Sequence, residues 1–105
     1  MVEISDKIKE TIDLFFIESR KNNINIVKAV LFGSYGRGTQ QQYSDIDLAV
    51  VSPDFSGIRY YDLEKVRKAK LKAGSLLEIH TFKPKDFTNE NPFVSEILST
   101  GISII

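Results

Sequence analysis

The chain has 105 residues, 42% of them apolar and 27% charged, a balance that predicts one globular domain over residues 1–105 and excludes a disordered or low-complexity chain. It has no cysteine, which rules out disulfides and thiolate metal sites, and no apolar run long enough to cross a bilayer. Formal net charge is zero, which argues against bulk attraction to long nucleic acids, and with no basic-then-apolar leader the expected location is the cytoplasm.

In chain order, Ile4, Ile8, Ile12, Phe15 and Phe16 recur at the spacing of one helical face. They predict a helix from about Ser5 to Asn23, capped by Ser5 or Asp6 and stopped at Asn22-Asn23. Ile26 to Phe32 is β-branched and apolar apart from Lys28, and Gly33 closes it as a strand. The polar stretch Ser34 to Gln42 has too few apolar positions for a core element and suits a short helix starting near Ser34. Asp45 to Val51 alternates as a strand, with Asp45, Asp47 and Ala49 on one face and Ile46, Leu48 and Val50 on the other, better buried one. Ser52-Pro53-Asp54 ends it.

Tyr60 to Ala73 reads as a helix with Leu63, Val66, Ala69 and Ala73 inward and lysines outward, stopped by Gly74. Leu76 to Phe82 is a third strand, with Glu78 and His80 facing one way and Leu77 and Ile79 the other, and Pro84 breaks it. A short helix, Pro92 to Ser99, leads through Gly101 to a last strand, Ile102 to Ile105. The order predicts an α/β (α+β) layer pair of sheet and helices. The link between the first two strands is too short for a crossover helix, so they should pair antiparallel. The phenylalanines read as core. From Arg59 to Lys85 there are eight basic and three acidic residues, which is either a solvated helix face or a surface for an anionic partner.

The chemistry concentrates between Leu31 and Asp47. Gly33 permits a backbone conformation closed to other residues and lets a phosphate come close. Ser34 at a helix start offers a hydroxyl and backbone N–H groups to an anion, and Arg37 adds a forked cation suited to phosphate oxygens; taken alone, the turn reads more readily as a plain strand-to-helix turn with glycines for geometry. The spacing of Gly33, Gly36 and Gly38 is neither the dinucleotide fingerprint nor, without a following Gly-Lys-Ser/Thr, a P-loop. Asp45 and Asp47, two apart on a strand, point the same way and would repel unless a hard cation such as Mg²⁺ lay between them; taken alone, the pair reads more readily as ordinary carboxylates of a solvent-facing strand. Glu78 falls on the same face if the strands are neighbours, as a third carboxylate for a two-metal site or a general base; alternatively a lysine satisfies it. His80 is the only histidine and reads as structural. Tyr35 and Tyr43 flank the site and read as packing, with base stacking as the sharper alternative.

Gly33-Ser34, ten intervening residues and then Asp45-x-Asp47, within FGSYGRG…YSDIDLAVV, resembles the signature of the minimal nucleotidyltransferase family of the DNA polymerase β-like superfamily. The resemblance extends through LLEIHTF to the last helix and strand. It implies the nucleotidyltransferase fold: a small mixed sheet with helices on one side and the nucleotide on the other. It further implies Gly33 and Ser34 on the triphosphate of ATP and Asp45, Asp47 and Glu78 as catalytic metal ligands; Arg37, from its own chemistry, is expected to orient the triphosphate. Glu78 stands where the family more often has Asp, and Gly36 where it often has Ala.

Short members of this family are often paired with a helical HEPN-type toxin, which they neutralise by binding or by transferring AMP from ATP to a toxin tyrosine. The resemblance therefore implies a Mg²⁺-dependent enzyme of a toxin–antitoxin pair. Without a helical substrate domain, its acceptor would come from a partner or a second copy of the chain. The alternatives are a non-catalytic antitoxin that only binds its helical partner, and nucleotidyl transfer to a small molecule or an RNA end.

Overall fold

The computed structural model describes residues 5–40 and 44–105. Helix α1 spans Asp6–Lys21, with the Ser5 hydroxyl accepting from the Ile8 amide and Asn22 as its C-cap. Its stop is sharpened by Asn23, which takes the positive φ of 63° that asparagine tolerates better than most residues. Strand β1 is Lys28–Phe32, two residues shorter at its start than the apolar run Ile26 to Phe32 predicts. The short helix α2 occupies Gly33–Arg37, β2 Ile46–Val51, α3 Arg59–Ala73 and β3 Leu77–Phe82. A single 3₁₀ turn, Pro84–Asp86, which the sequence pattern did not single out, follows β3. Helix α4, Pro92–Thr100, is capped by the Asn91 carboxamide, and β4 is reduced to Ile102–Ser103.

The strands form one mixed sheet in the order β3-β2-β1-β4. β1 pairs antiparallel with β2, as the short link between them requires, and with β4; β2 and β3 run parallel through α3. One face of the sheet is the main core. There Ala29, Leu31, Ile46, Leu48, Val50, Leu77 and Ile79 pack against Ile12 and Phe15 of α1 and Val66 and Ala69 of α3.

The opposite face is not free of helices, and here the expected one-sided arrangement is corrected. Ile97 of α4 packs on Val30, Phe32 and Ala49, with Phe82 and Phe87 alongside. Val94 and Ile97 are a short apolar stripe that must be buried, and Gly101 lets the chain turn tightly enough to do so. A Cβ at Gly101 would collide with the Val30 side chain and the Ile97 carbonyl. The end of this face that carries Asp47 and Glu78 is left accessible.

Two polar features tie the helical layer together. Asp62 is buried and accepts from the Ser56 amide (2.6 Å), the Ser56 hydroxyl (2.9 Å) and the Gly57 amide (2.9 Å), pinning the loop that enters α3. Glu18 takes Lys21 at 3.3 Å and Lys72 at 3.6 Å, joining α1 to α3. The cations of α3 are largely spent inside the molecule. Lys65 meets Asp62, Arg67 meets Glu64, Lys70 meets Glu78 and Lys72 meets Glu18. That is a solvated, internally compensated helix face. No described helix is long and apolar enough to cross a membrane.

Candidate active site

Strand register assembles the site. Phe32 of β1 lies opposite Asp47 of β2, and Asp47 lies beside Glu78 of β3, so the three side chains form a row across the sheet on its accessible face. The next row along the strands is Val30, Ala49 and His80, and the one after it Lys28, Val51 and Phe82. The alternation of β2 and β3 thus places Asp47 and Glu78 side by side, about 4.7–4.9 Å apart in backbone spacing.

Gly33 follows Phe32 with φ of +69°. A Cβ there would fall on Oδ2 of Asp47, so the turn needs glycine both for its torsion and because the carboxylate occupies the side-chain space. Ser34 is the next residue of α2 and is partly buried. Gly36 explains its own departure from alanine: a Cβ there would meet the Thr100 carbonyl at 3.0 Å and the Leu31 carbonyl at 3.1 Å, where α2 presses on the end of α4. Tyr35 packs against the main core, the role expected of it. Tyr43 lies outside the described residues.

The other predicted site residues are placed less tightly. Asp45 precedes β2 by one residue and is exposed. Arg37 gives its guanidinium to Oε1 of Glu96 on α4 at 2.6 Å, both side chains being more than half exposed. Glu78 pairs with Lys70 of α3 at 3.8 Å, the lysine partner that the sequence left open as its alternative. Among the described residues, no group of three or more carboxylate, imidazole or thiol side chains is gathered closely enough to hold a metal ion. Asp47 and Glu78 are register neighbours whose carboxyl groups are turned to different partners, His80 and Lys70. The donor chemistry of the two carboxylates, all hard oxygen, suits Mg²⁺, with Asp45 one residue before the strand that carries Asp47.

The sequence reads His80 as structural, and the structure adds a contact with Asp47. Its Nε2 lies 3.3 Å from Oδ1 of Asp47, so the tautomer protonated there donates to the carboxylate. Its ring meets Phe32 edge-on at 4.9 Å between centroids and Phe93 at 5.9 Å. The shared face of Glu78 and His80 was legible in the strand alternation; the register that sets His80 beside Ala49, one row from Asp47, was not. Phe93 corrects another expectation: it is 45% exposed, not core. Nothing in the sequence pattern linked Arg37 to Glu96, which lies 59 positions along the chain.

Residues 14–102 match the nucleotidyltransferase domain family. A Methanocaldococcus jannaschii protein assigned as a protein adenylyltransferase is 32% identical over 87 residues, covering 77% of this chain and 58% of that protein. The chain thus spans less than two thirds of that relative's length. The crystal structure of a Sulfolobus solfataricus protein assigned as a nucleotidyltransferase superposes with a TM-score of 0.56 at 14% identity, covering 98% of this chain and 89% of the other. That likeness is one of fold.

Proposed function

The chain belongs to the nucleotidyltransferase domain family, and on that premise we propose that it transfers AMP from ATP to a hydroxyl group of a partner protein. The tyrosine of a helical HEPN-type toxin is the acceptor this reading favours. The adenylyl group and the protein acceptor rest on the name of the M. jannaschii relative. The observation that carries the reading is the row Phe32–Asp47–Glu78 beside Gly33, where a carboxylate packs against the glycine of a turn that leads into a helix.

In this reading Gly33 and Ser34 receive the triphosphate, and Arg37, released from Glu96, orients it. Asp45 and Asp47 would hold Mg²⁺, and Glu78 would complete the set or take the proton. A bound Mg²⁺ supplies charge neutralisation on the phosphate oxygens. The acceptor oxygen attacks the α-phosphorus, the bond from that phosphorus to the bridging oxygen breaks, and pyrophosphate leaves. The hydroxyl proton passes to a carboxylate oxygen of Glu78 once that group has left Lys70. Alignment of the reactants accounts for much of the acceleration in such a displacement.

The test is label transfer from α-labelled ATP, together with pyrophosphate release, in the presence of the partner recovered from the host lysate. Activity is expected in the wild type and lost in the Asp45→Asn/Asp47→Asn variant; equal transfer by both sinks the assignment. A second reading, an antitoxin that only binds its helical partner, is favoured by the engagement of Glu78 with Lys70 and of Arg37 with Glu96. Full neutralisation of the partner by the double variant, with no transfer by the wild type, selects it.

A further inference from the structure

Beside Asp47 the accessible face carries a cluster of rings. Phe93, at the start of α4, lies 5.8 Å from Phe32 at an interplanar angle of 80°, 5.9 Å from His80 at 61° and 6.3 Å from Phe82 at 40°. Phe82 is backed in turn by Phe87 at 5.1 Å. Phe32 is 8% exposed whereas Phe93 is 45% exposed, so the cluster has a buried base and one ring standing out into solvent. Other large side chains, Tyr60 and Leu71 among them, are more exposed; what sets Phe93 apart is its contact with a ring that touches Asp47.

We propose that Phe93, supported by Phe32, His80 and Phe82, is the platform on which the nucleobase of the nucleoside triphosphate stacks. This rests on the reading of the site as one for nucleotidyl transfer. Three observations select a nucleobase as occupant. His80 touches both Asp47 and Phe93, so the rings are continuous with the reacting end of the site. The His80 row lies one strand repeat, about 6.5–7 Å, from the Asp47 row, a distance a ribose bridges between its 5′-phosphate and its base. The exposed element is a phenyl ring, which reads the face of a base and makes no hydrogen bond to its edge. Such stacking is tolerant of base identity, so the platform holds adenine and guanine alike and leaves discrimination between them to other contacts.

The chain has no tryptophan, so Phe93→Trp introduces a single indole reporter at the platform. Mg-ATP should quench its fluorescence while Mg-tripolyphosphate, which has the phosphates and no base, leaves it unchanged. In calorimetry, Phe93→Ala should raise the Kd for Mg-ATP by on the order of tenfold, the effect of losing one base–aromatic stack, with no change for Mg-tripolyphosphate. Phe93→Tyr should bind as the wild type does. An unchanged Kd for Mg-ATP in Phe93→Ala, with Asp47→Asn weakening both ligands, overturns the platform and leaves the transfer reading standing. An equal loss for both ligands in Phe93→Ala also overturns it, since the ring would then support the phosphate end. If the wild type binds neither ligand, the nucleotide reading falls and the platform with it.

Discussion

His80 holds Asp47 from the neighbouring strand, Nε2 to Oδ1 at 3.3 Å, and is itself wedged against Phe32 and Phe93. On the proposed reading Asp47 presents an oxygen to Mg²⁺, and it would gain from being fixed before the cation arrives, because orienting partners of this kind act on ligand geometry and basicity. His80→Ala is expected to cut the apparent Mg²⁺ affinity in the transfer assay by about 10-fold to 100-fold. His80→Gln, which keeps a donor near Oδ1, should recover part of the loss. A Mg²⁺ titration of the three proteins checks this, and equal half-saturation in all three would reduce His80 to a packing residue.

Gly33 is constrained twice, by a φ of +69° and by the Asp47 carboxylate in the space a side chain would need. Gly33→Ala is therefore expected to cost about 1–3 kcal/mol from the left-handed torsion. It should also lower transfer, because the methyl group and the carboxylate cannot share one position. Urea denaturation and the label-transfer assay report the two effects separately. A stable variant with full activity would mean that the turn can rearrange.

How much of this was legible in the sequence depends on the range of the interaction. The alternation in Asp45 to Val51 and Leu76 to Phe82 is local, and it correctly set Asp47 and Glu78 on matching faces. The short link after Phe32 correctly required an antiparallel pair. Ion pairs between elements left no such trace. The pairing of Arg37 with Glu96 depends on α4 crossing the second face of the sheet, and nothing in the local pattern of Pro92 to Thr100 specifies which face that helix takes. Phe93 looked like core because it is a phenylalanine. Whether it is buried depends on the angle at which α4 lies, which is a tertiary property.

Asp62 offers a contrast in which stability and catalysis separate. Its carboxylate is 1% exposed and accepts from Ser56 and Gly57, with Lys65 at 3.9 Å. Asp62→Ala would strip buried donors of their partner, at a cost of about 3 kcal/mol. The lesion sits where the chain enters α3, beyond the end of β2 away from Asp47. The variant should therefore unfold at lower urea yet, while folded, transfer label at the wild-type rate. Loss of transfer by the folded variant would show that the α3 entry loop shapes the site.

Lys70 and Glu78 are 35% and 47% exposed, so their 3.8 Å pair contributes little to stability. Lys70→Met should change the folding free energy by less than about 1 kcal/mol. It should leave Glu78 free to accept the acceptor proton, giving transfer equal to or faster than that of the wild type. Glu78→Gln should lower transfer by about 100-fold to 10,000-fold, the usual range for removing a general base. Comparable rates for Glu78→Gln and the wild type would remove Glu78 from the chemistry and leave it as a strand residue neutralised by lysine.

Arg37 and Glu96 present the same competition on the phosphate side. Both side chains are more than half exposed, so their 2.6 Å contact is easily exchanged for a better anion. A triphosphate offers one, since a guanidinium meets phosphate oxygens in a forked arrangement at least as strong as its contact with a single carboxylate oxygen. Glu96→Gln removes the competitor without removing the cation, so the Kd for Mg-ATP should fall severalfold. Arg37→Ala should raise it, with little effect on stability in either case. The double variant should bind as Arg37→Ala alone does, because Glu96 acts on the nucleotide only by holding Arg37. If Glu96→Gln still tightens binding when Arg37 is absent, its charge acts on the phosphates directly; if Arg37→Ala leaves the Kd unchanged, Arg37 is a tether between α2 and α4 with no part in holding the nucleotide.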